Sequence, residues 1–178
     1  SRFFGNKENI ESEEYVVGVV ANEGAYSLLK YDGSISNYGK STYFRGFPSE
    51  NNLNYQISQI IVSNGAKQCL FNICLSILSK GDEAIILAPY WVSYPDMVRI
   101  SGAEPVIIGA HIEDNFKITP QKLAESISNK TRLLIINNPS NPTGSCYTKK
   151  ELQDLGKILK NHPKIVVVAD EIYEHIYW

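Results

Sequence analysis

Asp170 stands at the end of an apolar run, Val166-Val167-Val168-Ala169, and Tyr173 follows three residues later. A carboxylate in that setting is costly unless it is paired. It is either satisfied by backbone N–H groups or placed to meet a cation, and the Tyr173 hydroxyl can reach the same space. Upstream, Asn137-Asn138-Pro139-Ser140-Asn141-Pro142-Thr143-Gly144 contains two Asn-Pro pairs and a closing glycine. Neither a helix nor a central strand accepts that pattern. It reads as a rigid loop, directly after another apolar run, whose amides can be held toward a ligand; capping a helix needs less proline. Pro89-Tyr90-Trp91-Val92-Ser93-Tyr94-Pro95 gathers one Trp and two Tyr, either as a stacking platform for a flat ring or as core filling. Asn64-Gly65-Ala66-Lys67 is either a plain turn or a small-residue helix start where an anion can approach free N–H groups.

Two other motifs fail on inspection. Gly39-Lys40-Ser41 resembles the end of a phosphate-binding P-loop, but the glycine required five residues earlier is replaced by Ser34. No Gly-x-Gly-x-x-Gly occurs, so a dinucleotide fingerprint is absent. The histidines at 111, 162 and 175 are too scattered for a metal site. Cys69, Cys74 and Cys146 form no Cys-x-x-Cys pair, and an odd, sparse set points to a reducing compartment rather than a disulfide scaffold.

These residues need a frame. Apolar, β-branched runs recur at Gln59–Ser63, Glu83–Leu87, Pro105–Ile108, Arg132–Asn137 and Lys164–Ala169. Helical spacing lies between them at Lys67–Leu78, Pro120–Ile127 and Thr148–Asn161. Thr148 with Glu151 predicts a capping box, and Thr119-Pro120 an N-cap followed by proline in the first turn. Strands alternating with helices predict an α/β fold, a mostly parallel sheet with helices on both faces. In such sheets ligands lie beyond the carboxyl ends of the strands, and each of the four stretches above is a strand tail. Residues 1–50 differ. They are turn-rich and aromatic, with β-prone runs at Tyr15–Ala21 and Tyr26–Tyr31 and a tight-turn pair at Asp32-Gly33. The chain therefore divides at about residue 50, with 51–178 forming the α/β part.

The 178 residues are 43% hydrophobic and 20% charged, an ordinary globular composition. Lys plus Arg is 17 and Asp plus Glu is 19, a net charge of −2. That gives no positive field for nucleic acid. No apolar run approaches the roughly 20 residues of a membrane span, and Ser1-Arg2-Phe3-Phe4-Gly5 does not begin a secretory signal. A cytoplasmic location is expected.

Taken together, the four tails, in order and at their spacing, resemble the fold-type-I pyridoxal-phosphate enzymes. More narrowly, they resemble class I aminotransferases of the bacterial aspartate (or aspartate/prephenate) kind. The resemblance covers about Glu50 to Trp178 and makes 51–178 a partial cofactor domain. It implies pyridoxal 5'-phosphate, with the backbone N–H groups of Gly65, Ala66 and Lys67 on the phosphate and Trp91 stacked on the ring. Asn141 would meet the ring 3-oxygen and the substrate carboxylate, Tyr173 would donate to the 3-oxygen, and Asp170 would pair with the ring nitrogen. The peptide before Pro142 would be cis.

The activity implied is transfer of an amino group between an L-amino acid, aspartate by the Trp91–Pro95 context, and a 2-oxo acid, in a homodimer. A carbon–sulfur lyase on the same fold and a non-catalytic remnant are the alternatives. The family's Schiff-base lysine lies a few tens of residues beyond the Asp170–Tyr173 motif, and its substrate-gripping arginine further still. Lys157, Lys160 and Lys164 are helix-face or turn residues and do not replace that lysine. The 178 residues alone are therefore expected to be inactive.

Overall fold

The structure is a computed structural model. It describes residues 63–173, together with the backbone of three strands nearer the N-terminus. Those strands, β1 (Val16–Asn22), β2 (Ala25–Lys30) and β3 (Ile35–Gly39), form an antiparallel meander in the order β1-β2-β3. β1 and β2 fall on the two β-prone runs, and the Asp32-Gly33 pair lies in the β2–β3 connection; β3 has no counterpart among the expected runs. The apolar run at Gln59–Ser63 lies, but for Ser63, outside the described residues.

From residue 63 onward the order is α1 (Ala66–Ile77), β4 (Glu83–Ala88), α2 (Ser93–Ile100), β5 (Glu104–Gly109), a 3-10 turn at Ile112–Asp114, α3 (Pro120–Ser126), β6 (Thr131–Asn137), α4 (Lys149–Leu159) and β7 (Val166–Asp170). The four strands are all parallel, in the order β5-β4-β6-β7. Period-2 alternation sorts their side chains into two cores. Ala84, Ile86, Leu133, Ile135 and Val168 pack with Leu70, Cys74 and Leu78 from α1 and its C-cap, and with Met97 and Val98 of α2. Ile85, Leu134, Ile136, Val167 and Ala169 pack with Leu123 of α3 and Leu152, Leu155 and Leu159 of α4. Helices thus cover both faces, as the near-continuous apolar runs require. Leu133 and Leu134 are both fully buried, and truncating either to alanine typically costs about 2–5 kcal/mol.

The crossovers explain which helix lies on which face. The chain leaves β4 to one side to make β5, then returns past β4 to β6 and continues to β7. With crossover hand fixed, reversing direction moves the connecting helix to the opposite face. α2 therefore lies on one face and α3 and α4 on the other. The reversal also opens a crevice between the carboxyl ends of β4 and β6, the place where such sheets hold ligands.

α2 is absent from the expected helices, and its first turn contains Pro95. Proline is tolerated in a first turn, where its missing N–H has no partner to lose, and Pro95 is the third residue of α2. The other helix starts agree with expectation. The Thr119 side chain accepts from the Lys122 N–H, with Pro120 in the first turn. At α4, Thr148 and Glu151 make both bonds of a capping box. Lys117 adds an ion pair to Glu151 at 3.0 Å. Burial works to raise the Glu151 carboxyl, but the Thr148 N–H, the Lys117 ammonium and the Thr148 side chain outweigh it, and its pKa is lowered.

Candidate active site at the carboxyl edge of the sheet

α1 begins differently from α3 and α4. Its N-cap is Gly65, at φ 84° and ψ 166°, and no side chain caps it. That positive φ strains any residue with a Cβ, and among the described residues, chain neighbours and the helix's own backbone aside, no atom lies within 4 Å of where a Cβ would be. Gln68 closes part of the turn, accepting from the Asn64 N–H at 2.6 Å. The Gly65 amide itself donates to Ser63 O at 2.8 Å. Of the three amides expected at an anion, Gly65 is thus already engaged, and the expectation narrows to Ala66 and Lys67. In a first turn those two have no intrahelical acceptor.

The tail of β4 meets this helix start. The Lys67 ammonium lies 4.9 Å from the centre of the Trp91 ring. Trp91 packs edge-to-face on Tyr94, 5.5 Å between centroids. Trp91 and Tyr90 are half-buried, so two aromatics of the Pro89–Pro95 stretch keep accessible surface. Tyr94, by contrast, is 2% exposed. Its hydroxyl needs a partner at that depth, and it donates to Asp170 Oδ2 at 2.5 Å.

Asp170 is the last residue of β7 and 4% exposed. Its other oxygen, Oδ1, accepts from the Ile172 N–H at a long 3.3 Å. Burial pushes the Asp170 carboxyl up, and the bonds from Tyr94 and Ile172 offset this only in part. Burial, then the charge of Asp170, pushes the Tyr94 phenol up, so it stays protonated and can only donate to the carboxylate. Tyr94 belongs to the aromatic stretch that the sequence marks as a platform or core filling, but its bond to Asp170 is not foreseen there. A signal is nonetheless present: two polar groups, each needing a partner, beyond the carboxyl ends of β4 and β7 of one sheet.

The loop after β6 is tied down by its own asparagines as well as by proline. Asn137 Oδ1 accepts from the Asn141 N–H at 2.6 Å, and Asn138 Oδ1 from the Tyr147 N–H at 2.8 Å. Gly144 N–H donates to Ser140 O, and Ser140 N–H to Ser145 O. The peptide before Pro142 is cis, as expected, and so are those before Pro89 and Pro139. This loop presents the Asn141 side chain, whose Nδ2 donates to the Tyr173 hydroxyl at 3.3 Å.

Lys67, Trp91, Tyr94, Asp170, Asn137, Asn141 and Tyr173 therefore form one unbroken chain of contacts along the carboxyl edge. Asp170 and Asn137 are linked through the Asp170 carbonyl, which accepts from Asn137 Nδ2 at 2.8 Å. The donor set fits a flat aromatic ring that carries a phosphate and a protonated nitrogen. Among the described residues no acceptor is seen for two amides at a helix start, beside a glycine with space for a Cβ; Trp91 is half-buried, and a buried acid holds one short and one long hydrogen bond. Among the described residues no group of His, Cys, Asp and Glu could hold a metal ion, and no helix is long and apolar enough to cross a membrane. The buried Cys74 thiol is pushed up to about 11 by desolvation, which makes it an inert core group.

The comparisons with known proteins agree with this geometry. A relative from Rickettsia typhi, named probable aspartate/prephenate aminotransferase, is 51% identical over 130 residues, covering 73% of this chain and 33% of that protein. An aspartate/prephenate aminotransferase of Nitrosomonas europaea is 47% identical over 137 residues, 77% of this chain and 34% of that one. Among solved structures, an aspartate aminotransferase from Rhizobium meliloti superposes with a TM-score of 0.69 at 41% identity, over 72% of this chain and 32% of its own. The chain spans about a third of the length of the curated relatives it matches. The family described as aminotransferase class I and II matches residues 11–178, which extends the likeness well before Glu50, where the motifs alone place its start. With that match over nearly the whole sequence, and with the motif residues gathered at one sheet edge, the chain belongs to the class I and II aminotransferases.

Proposed function

We propose that the full-length protein transfers an amino group between an L-amino acid, aspartate first among the candidates, and a 2-oxo acid, with pyridoxal 5'-phosphate as cofactor. The observation that carries this reading is Asp170. It is a buried acid with a raised pKa, held by a Tyr94 hydroxyl on one oxygen and only loosely engaged on the other. An acid of that kind is stabilised by a cation, and the ring nitrogen, when protonated, is one.

The residues divide the work as follows. The Ala66 and Lys67 amides, aided by the α1 dipole, bind the phosphate, and Gly65 leaves the approach clear. Trp91 offers its face to the ring. Asn141 and Tyr173, already in contact with each other, share the ring 3-oxygen, and Asn141 also orients the substrate carboxylate. Asp170 keeps a proton on the ring nitrogen. Tyr94 fixes the Asp170 carboxylate in place by donating to Oδ2. When bound, the cofactor supplies an electron sink for the charge left when the substrate loses its α-proton. None of the described lysines occupies a strand tail beyond Asp170, so the 178 residues alone are expected to turn over no amino acid. The family relationship supports a homodimer, and the sparse, unpaired cysteines support a cytoplasmic setting.

The test is an assay of the full-length protein with L-aspartate and 2-oxoglutarate, with and without added pyridoxal 5'-phosphate, followed by oxaloacetate formation. Cofactor-dependent transfer is the expected result. Absence of transfer here, with sulfide, ammonia and pyruvate released from L-cysteine instead, would overturn it.

A further inference from the structure

We infer that Asn137 is a positioning residue that sets Asn141 and Asp170 at a fixed relation to each other, an inference that rests on the cofactor reading above. Asn137 is the last residue of β6 and lies opposite Asp170 in the β6–β7 ladder. This is the last rung of the ladder, and past it a backbone bond from the Asn138 N–H to the Asp170 carbonyl joins the two tails. The Asn137 side chain spans the same two tails. Its Nδ2 donates to the Asp170 carbonyl at 2.8 Å, and its Oδ1 accepts from the Asn141 N–H at 2.6 Å. The Asn138 N–H donates to the same Asp170 carbonyl at 2.9 Å, so both lone pairs of that oxygen are used.

The two partners fix the orientation of the amide. Rotating it by 180° would set oxygen against the Asp170 carbonyl and NH₂ against the Asn141 N–H, two repulsions in place of two bonds. The position also restricts residue type. Aspartate lacks the donor, serine does not span both partners, and glutamine is one methylene too long. A single amide thus joins the tail that carries the acid for the ring nitrogen to the tail that carries the group for the ring oxygen and substrate. Catalysis is sensitive to such spacing, because a displacement of about 1 Å can cost on the order of a hundredfold.

The experiment uses the full-length protein and Asn137→Ala. Three quantities are read: equilibrium binding of pyridoxal 5'-phosphate to the cofactor-free protein by absorbance, kcat and KM for the amino donor, and the melting temperature without cofactor. If Asn137 positions the two tails, cofactor affinity and kcat each fall about tenfold, the magnitude of about 1.4 kcal/mol of lost positioning. The same change made on an Asn141→Ala background costs clearly less than tenfold, because the side chain of one of the two groups it positions is gone. A lower melting temperature with affinity and kcat within twofold of wild type would reduce Asn137 to a structural bond and overturn the inference. So would full additivity with Asn141→Ala. Should Asn137→Ala fail to accumulate, Asn137→Ser is measured against the same thresholds. Asp170→Asn is run beside them. If it leaves cofactor binding and turnover intact, the cofactor reading itself falls; if it impairs both while Asn137→Ala does not, only the role of Asn137 falls.

Discussion

Two helices begin at the carboxyl edge of the same sheet and begin in opposite ways. At α4 the cap is made from within: Thr148 and Glu151 cap each other's amides, and Lys117 neutralises Glu151. At α1 the cap is a glycine with no side-chain bond, and the contacts that run from it through Trp91 and Tyr94 end on an acid that the protein satisfies only in part. The two acids record the contrast. Glu151 is lowered by its partners, whereas Asp170 is raised by its burial. A helix start that needs only to be stable is sealed by the chain itself. One without a side-chain cap, with a buried acid in the same chain of contacts, is the place where the proposed cofactor would bind.

The comparison can be broken most sharply at Asp170. Asp170→Asn keeps the shape and removes the charge. In the full-length protein its kcat is expected to fall on the order of 10²–10³, the usual cost of losing a charge aimed at the reacting system, with single-turnover rates showing the loss in the chemical step. A change of only a few-fold would mean that Asp170 merely caps the turn at Ile172, a task asparagine does almost as well.

Sealing α1 is the next test. Gly65→Asp would place an acceptor and a negative charge at the open helix start. Like charges about 4 Å apart repel by about 4 kcal/mol near a protein surface, so binding of pyridoxal 5'-phosphate is expected to weaken by about a hundredfold or more. Unchanged affinity in an absorbance titration would show that the phosphate is held elsewhere.

Opening α4 should do the reverse. Thr148→Ala removes one cap and is expected to cost about 1 kcal/mol of stability in a denaturant melt, with cofactor affinity unaltered. The smallest effects are those of pH on the cofactor-free protein. The Glu151 pKa is lowered on folding, so its stabilisation is complete above the unfolded carboxylate pKa and is lost as pH falls through the folded value. The Asp170 pKa is raised, so its contribution is complete below the unfolded value and is lost as pH rises through the folded one. Melting temperatures of the wild type should therefore converge with those of Glu151→Gln on acidification. Relative to Asp170→Asn they should fall as pH rises above the usual aspartate range.

Most of the frame is legible in the sequence because it is written in local patterns. Four described strands and three helices lie where apolar runs and helical spacing place them, within a residue or two. The Thr148–Glu151 box and the Thr119-Pro120 start need only neighbours three residues apart or fewer. What is not legible depends on which strands lie side by side, or on signals that a local pattern hides. The 3-10 turn has no period to detect, and Pro95 masks the first turn of α2. Tyr94 is visible as an aromatic, but its bond to Asp170 follows from the strand order β5-β4-β6-β7, which periodicity does not contain. The Gly65 amide is hidden for another reason: its engagement by Ser63 is a matter of local dihedral angles.

The return of the chain past β4 has a consequence for how the protein assembles. The caps of α3 and α4 close over three residues, while the Tyr94–Asp170 bond joins positions 76 residues apart, and the Asn137–Asp170 and Asn141–Tyr173 bonds join positions 33 and 32 apart. Loop-closure entropy grows with that separation, and contacts distant in sequence form slowly. The helix starts are thus able to form before any sheet exists, but the acid acquires its hydroxyl partner only once β4, β6 and β7 are all in register. During synthesis, Asp170 is the last of these strand tails to emerge, so the contacts that hold the acid become a check on completion of the sheet.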